Sequence, residues 1–129
     1  SVETYGTSYE GRDLLLVTVT DSATGSHDTK PAHWIDASIH AVELTATVAA
    51  CHVLQSLVDG YAAGDEQIMR ALKTRTFYVV PRVNPDGAEW ALADVPRFIR
   101  SSTKPYPRQD RLDGLHQADV DKDGRLSIS

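Results

Sequence analysis

Two side chains that bind metals lie three positions apart in this sequence. His40 supplies an imidazole nitrogen and Glu43 supplies carboxylate oxygens. Zinc accepts such a mixed set in catalytic sites, where three protein ligands leave a fourth position for water. Two ligands do not complete a site, and a His followed three residues later by a Glu also occurs in capping and surface pairs. Both interpretations are therefore open on spacing alone.

The elements around the pair favour the metal interpretation. Residues 33–39 are predicted to form a strand, and residues 41–59 have good helix formers, no proline and apolar residues on nearly every side. The pair therefore lies where a strand gives way to a helix. Open α/β sheets place their ligands at the carboxyl ends of strands, because the strand holds a residue rigidly and the following loop leaves it accessible.

Further periodic segments predict the fold class. Residues 14–20 and 76–83 are apolar, β-rich runs that indicate strands, and residues 65–73 indicate a second, shorter helix. Strands separated by helical segments imply a βαβ unit, and hence a largely parallel sheet with helices packed on it. The first helix is expected to be covered by the sheet on one side and by other elements on another.

The breaks between these elements are predicted from glycine, proline and polar residues. Residues 1–12 are interpreted as an irregular lead-in, and Gly60 as the cap that ends the first helix. The Asn-Pro-Asp-Gly sequence at residues 84–87 is predicted to be a turn, followed by a short helix at residues 88–93.

Composition limits the class of protein. The 129 residues are 41% hydrophobic and 24% charged, which is typical of one soluble globular domain, here residues 1–129. The net charge of -5 argues against nucleic acid or an anionic membrane as a partner, because both select a basic face. Cys51 is the only cysteine, which excludes an intrachain disulfide.

The last segment of the sequence has the pattern of a calcium loop. Asp119, Asp121 and Asp123 place carboxylates at alternate positions, and Gly124 follows where such loops turn sharply. The position of the usual bidentate Glu falls just past Ser129. The segment therefore predicts a calcium site of which only the first half is visible, with a solvated acidic loop as the alternative.

Three motifs, in this order and at these separations, resemble the zinc carboxypeptidase family. They are Gly-Thr-Ser-Tyr-Glu-Gly-Arg at residues 6–12, His-Ala-Val-Glu at residues 40–43 and Pro-Arg-Val-Asn-Pro-Asp-Gly at residues 81–87. The resemblance implies a three-layer α/β/α sandwich with a mixed, largely parallel sheet, of which this chain is the amino-terminal portion. It implies that His40 and Glu43 are two of three zinc ligands, and that the turn at residues 84–87 is mainly structural.

The resemblance also implies an activity, the zinc-dependent removal of C-terminal amino acids from peptides or proteins. Arg100 resembles the family arginine that polarises the scissile carbonyl, although a solvated loop arginine is an equal interpretation. The third zinc ligand, a His, and the catalytic Glu lie beyond these residues in the family. His116 is a candidate for a stand-in third ligand, although a lone loop His is more often solvated. This chain alone is therefore expected to be inactive.

Two other functions are compatible with the sequence. One is a zinc deacylase or amidohydrolase on the same scaffold, which shares the His-x-x-Glu pair. The other is a non-catalytic, calcium-stabilised binding module. Many family members carry Arg and Trp where this chain has Val42 and Leu44, so any contact made by that Arg is missing. The sequence does not determine the compartment, although the resemblance favours a secreted or periplasmic protein.

Overall fold

The computed structural model describes residues 1–105, 117–119, 122–124 and 127–128. These residues form a mixed sheet, three helices and a small second ladder. The strands are β1 Val2–Thr7, β2 Asp13–Val19, β3 Ala32–Asp36, β4 Thr76–Val80, β5 Gln117–Ala118 and β6 Ser127–Ile128. The helices are α1 Leu44–Ala63, α2 Glu66–Thr74 and α3 Pro85–Leu92, with short 3-10 turns at Ser22–Thr24 and His27–Thr29.

The main sheet has the strand order β1-β2-β4-β3. β3 and β4 pair in parallel, as expected for the β3-α1-α2-β4 crossover, while β1 with β2 and β2 with β4 pair antiparallel. The predicted mixed sheet is confirmed. Among the described strands of this sheet, only β3 and β4 pair in parallel. β1 and β2, which precede the crossover, run antiparallel to their neighbours. β5 and β6 form a separate antiparallel pair.

The irregular lead-in predicted for residues 1–12 is wrong, because β1 occupies most of it. The strand is at the edge of the sheet, and all its residues except Gly6 are exposed. An edge strand with few buried side chains needs no alternation of apolar and polar residues, so its polar sequence does not indicate a strand. The pairing with β2 shifts register between Thr4 and Gly6, which marks an irregularity in the ladder.

Helix α1 packs against one face of the sheet. Its Ala50 joins Ala37 and Val79 in the buried core, and Val17 and Ile35 pack against that cluster. The small side chain of Ala50 lets the helix approach the sheet closely. The other side of α1 was expected to be covered, but Val48 is 66% exposed there and no described element covers it.

The end of α1 lies beyond the predicted Gly60. The helix continues to Ala63 and ends at Gly64, whose φ of 77° is the left-handed conformation that glycine adopts without strain. Gly60 has a packing role instead, because a Cβ there would lie 2.8 Å from Cγ1 of Ile68 on α2. The predicted second helix is confirmed, with Asp65 as its N-cap.

None of the helices in the described part of the chain is long and apolar enough to cross a membrane.

Candidate metal centre

The loop after β3 carries the predicted metal ligands, and Ser38 shapes it. The N–H of Ala37 still donates to the carbonyl oxygen of Val80 on β4, so the sheet ladder holds the chain up to this point. Ser38 then adopts a φ of 53°, which is uncommon for a residue other than glycine. Its buried hydroxyl donates to the carbonyl oxygen of Glu43 at 3.1 Å and contacts the Thr47 hydroxyl at 2.8 Å. These bonds fix the turn that leads into α1.

The structure brings His40 and Glu43 together. Nδ1 of His40 lies 2.9 Å from Oε1 of Glu43, and the N–H of Glu43 donates to the carbonyl oxygen of His40 at 3.0 Å. The two side chains are 31% and 59% exposed, so both remain accessible to a metal ion. Glu43 occupies the N-cap position of α1, yet its carboxylate makes no capping hydrogen bond. The structure therefore gives the carboxylate no role as a helix cap.

The pair has the geometry of two neighbouring metal ligands. With zinc-ligand distances of about 2.1 Å and tetrahedral angles, two ligand atoms lie about 3.4 Å apart. The observed 2.9 Å needs an opening of only about half an ångström, since a zinc ion would replace the proton that now lies between the two atoms. The donor set, one imidazole and one carboxylate, fits zinc.

A third ligand is not found among the described residues. No group of three or more His, Cys, Asp or Glu side chains there could hold a metal ion. His116, the candidate stand-in, lies outside the described residues.

A cleft of about 450 Å³ opens beside the pair, and Arg100 lies on its wall. Its lining includes Tyr9, Leu14, His40, Val83, Asn84 and Arg100. The loops that carry His40 and Arg100 are joined directly, because the N–H of Ala41 donates to the carbonyl oxygen of Arg100 at 3.2 Å. The structure thus places His40 and Arg100 on one cavity.

Asn84 lies between these loops, at the start of α3. The predicted turn at residues 84–87 is in fact the first turn of this helix, with Pro85 in a position where a missing N–H costs nothing. Oδ1 of Asn84 accepts from the N–H of Gly87 at 3.1 Å. Nδ2 donates to the carbonyl oxygen of Ser101 at 2.6 Å and, more weakly, to that of Ile39 at 3.5 Å.

A cluster around the buried Asp86 also supports this helix, and its Ser8 and Asp86 line the same cleft. Asp86 is 3% exposed and accepts three hydrogen bonds, from the Ser8 hydroxyl at 2.6 Å, the Glu10 N–H at 2.9 Å and the Arg12 guanidinium at 2.8 Å. Burial acts to raise the pKa of Asp86, but these three donors outweigh it and the pKa lies below its ordinary value.

Arg12 completes this cluster. The pKa of Arg12 is raised chiefly by its hydrogen bond to Glu10 and, to a smaller extent, by its hydrogen bond to Asp86. Sequence reasoning missed the cluster because it assigned residues 1–12 to an irregular lead-in. The available signal was the presence of Ser8 and Arg12 in the first motif and of Asp86 in the third.

The predicted calcium ligands lie only partly within the described residues. The Asp119 carboxylate accepts from the N–H groups of Asp123 at 3.0 Å and Gly124 at 2.9 Å. Asp121 lies outside the described residues. Calcium binding by this segment therefore stays a prediction.

Comparison with known proteins decides the family. The family model described as "Zinc carboxypeptidase" matches residues 1–121. This chain belongs to the zinc carboxypeptidase family. Carboxypeptidase B of Astacus astacus is 36% identical over 94 residues, which is 73% of this chain and 28% of that protein. Zinc carboxypeptidase A 1 of Drosophila melanogaster is 32% identical over 102 residues, 78% of this chain and 23% of that protein.

Solved structures of carboxypeptidases share the fold. Bovine thrombin-activatable fibrinolysis inhibitor, in complex with a tick carboxypeptidase inhibitor, superposes with a TM-score of 0.66 at 26% identity, covering 84% of this chain and 31% of that one. The metallo-carboxypeptidase of Burkholderia cenocepacia gives 0.57 at 32% identity, covering 68% and 23%. The predicted α/β class, as part of a zinc carboxypeptidase domain, is thereby confirmed. The chain spans less than a third of the length of each of these relatives.

Proposed function

We propose that the whole protein containing these residues is a zinc-dependent carboxypeptidase that releases single amino acids from the C-termini of peptides. We propose further that His40 and Glu43 are two of its three zinc ligands. The observation that carries the proposal is the 2.9 Å distance between His40 Nδ1 and Glu43 Oε1, in the loop after the carboxyl end of β3, in a chain of the zinc carboxypeptidase family.

The two proposed ligands have different roles from a catalytic base. Zinc, when bound, supplies Lewis acidity that activates water and polarises a carbonyl. His40 offers a neutral ring nitrogen, and the turn from Ser38 to Glu43 holds that nitrogen in place. Glu43 orients the metal site, because a carboxylate whose lone pairs are committed to a metal is a poor proton shuttle. The proton-transfer base therefore comes from another residue of the whole protein.

Arg100 is the proposed electrostatic partner of the substrate. It lies on the wall of the cleft that His40 also lines. A guanidinium at that position donates hydrogen bonds to the carbonyl oxygen of the peptide bond being cleaved. Those bonds strengthen as negative charge develops on the oxygen, and such pre-oriented donors commonly account for a large share of catalysis.

Zinc analysis of the whole protein tests the ligand assignment. We expect the parent to retain one zinc per chain after dialysis, and His40→Ala and Glu43→Ala to lose it. His52→Ala and Glu66→Ala are matched controls, since both residues are exposed on helices and neither lines the cleft. Zinc retained at the parent level in both His40→Ala and Glu43→Ala would overturn the assignment.

The products of hydrolysis test the reaction. Incubated with an N-terminally blocked peptide and followed by mass spectrometry, the zinc-loaded protein is expected to release residues one at a time from the C-terminus. Release of an acyl group from an N-acyl amino acid, with the peptide left intact, would instead support the deacylase alternative.

A further inference from the structure

The side chain of Asn84 bonds to three of the segments that line the cleft. Its oxygen caps α3 through the Gly87 N–H, and its NH₂ group donates to the carbonyl oxygens of Ser101 and Ile39. The backbone N–H of Asn84 adds a bond to the carbonyl oxygen of Ser38 at 3.1 Å. Ile39 immediately precedes His40, and Ser101 immediately follows Arg100.

Only an amide satisfies all these partners. The reverse orientation of the Asn84 side chain would set its NH₂ against the N–H of Gly87 and its oxygen against two carbonyls, so the network itself fixes the assignment. A Ser or Asp at this position would still cap the helix, because both are good N-cap residues. Asp has no hydrogen to donate to the Ser101 carbonyl, and Ser would have to serve both partners with one oxygen on a shorter side chain, whereas Asn presents two separate atoms.

We infer that Asn84 is a positioning residue that holds the Arg100 loop at a fixed distance from the His40 turn. The inference rests on the proposed function, because it assigns Asn84 an effect on catalysis through Arg100. The short bond to Ser101 anchors the residue next to Arg100, and the bond from Ala41 to the Arg100 carbonyl anchors Arg100 itself. With the Asn84 bond removed, the loop keeps only one of these two anchors, and the guanidinium no longer has one preferred position.

A double-mutant cycle in the whole protein tests the inference. We expect Asn84→Ser to lower kcat/KM for a C-terminal peptide substrate by roughly tenfold to a hundredfold, mostly through kcat, because small misplacements of an oriented group cost that much. Zinc content should stay at the parent level. In an Arg100→Ala background the same Asn84 substitution should change kcat/KM by less than about twofold, because the group it positions is then absent.

Two further variants separate positioning from stability. Asn84→Asp keeps a capping oxygen but opposes the Ser101 carbonyl with another oxygen, so it should also lower kcat while leaving the helix capped. Asp65→Ala removes the N-cap of α2, where the Asp65 carboxylate accepts from the N–H groups of Gln67 and Ile68. It should lower the melting temperature without changing kcat per folded molecule.

The outcomes distinguish the inference from the proposal beneath it. The positioning role would be overturned if the losses of kcat/KM in Asn84→Ser and Arg100→Ala multiplied independently in the double variant. It would also be overturned if Asn84→Ser kept the parent's kcat. Either result would leave the zinc carboxypeptidase proposal intact. A parent protein without zinc-dependent hydrolysis of peptide C-termini would overturn both.

Discussion

At the scale of single residues, the side chains on which the proposals depend lie around the N-terminus of α3. His40, Asn84 and Arg100 line the cleft, and Asn84 bonds to the residues next to the other two. Asp86 lies two positions further along, lines the same cleft and accepts hydrogen bonds from the Ser8 to Arg12 segment. The first turn of α3 is therefore bonded both to the loops of the candidate site and to the segment that precedes β2.

Asp86 gives a prediction about stability and pH. Its pKa is below the ordinary value of 3.8 in the folded state, so the unfolded chain binds more protons around that pH. The stabilisation it contributes is fully present above about pH 4 and is lost as the pH falls through the lowered folded-state value. Asp86→Asn should lower the free energy of unfolding at pH 7 by about 1–3 kcal/mol, and by less at pH 3.

Urea denaturation at the two pH values measures this difference. Glu10→Gln is the control, because Glu10 is the exposed partner of Arg12 and its loss should cost below about 1 kcal/mol. Equal losses for Asp86→Asn at pH 7 and pH 3 would show that its charge is not what stabilises the cluster.

The proximity of His40 and Glu43 was predictable from their spacing, whereas the bonds that hold their turn were not. A His and a Glu three positions apart at a strand end are compatible with a zinc site or with a surface pair, and their assignment as ligands stays a proposal. The left-handed Ser38 and the hydrogen bonds of Asn84 to Ser101 depend on contacts between segments distant in sequence. No local pattern encodes such contacts.

At the scale of elements, the position of the turn that carries His40 depends on its close approach to α3. Gly87 makes this approach possible, because a Cβ there would lie 2.3 Å from the Cβ of Ala41, which is fully buried. Ala41 lies between His40 and Glu43 in the sequence, so a displacement of Ala41 changes the positions of both residues. Gly87 is therefore required because the packing leaves no room for a side chain. Its φ does not require glycine, since it lies outside the left-handed region.

Gly87→Ala should lower zinc affinity while both proposed ligands remain present. The added methyl group must push the turn and the helix apart, which changes the separation of His40 and Glu43. Titration with a chromogenic zinc chelator measures the affinity in the whole protein. Gly6→Ala is the matched control, since a Cβ at Gly6 meets only Leu14 at an ordinary 3.6 Å. Unchanged zinc affinity in Gly87→Ala would show that α3 does not support the metal pair.

The elements themselves were predictable to different degrees. The apolar runs predicted β2, β3, β4 and both helices of the crossover, because burial on the sheet imposes a clear pattern. Strand β1 was missed since an edge strand is held by backbone pairing with β2 and not by burial. The start of α3 was missed because Asn-Pro-Asp-Gly is typical of turns, and a turn and the first turn of a capped helix share those residues.

At the scale of the whole molecule, the described sheet and helices provide two proposed ligands and one arginine, and the proposed function requires further residues to complete the site. Removal of zinc should therefore destabilise the whole protein as well as inactivate it, because a metal that bridges distant segments binds the folded state alone. At a free zinc concentration of 1,000 times the dissociation constant the stabilisation is about 4 kcal/mol. Calorimetry before and after chelation measures it, and zinc added back should restore both the melting temperature and the hydrolysis. An unchanged melting temperature would contradict a site shared between segments.

An anomalous difference map, recorded at the zinc absorption edge from crystals of the whole protein, shows directly whether His40 and Glu43 bind zinc. We predict a single strong peak about 2.0–2.2 Å from a ring nitrogen of His40 and a carboxylate oxygen of Glu43, with the Arg100 side chain bordering the same cleft. A zinc peak coordinated by neither His40 nor Glu43 would contradict it.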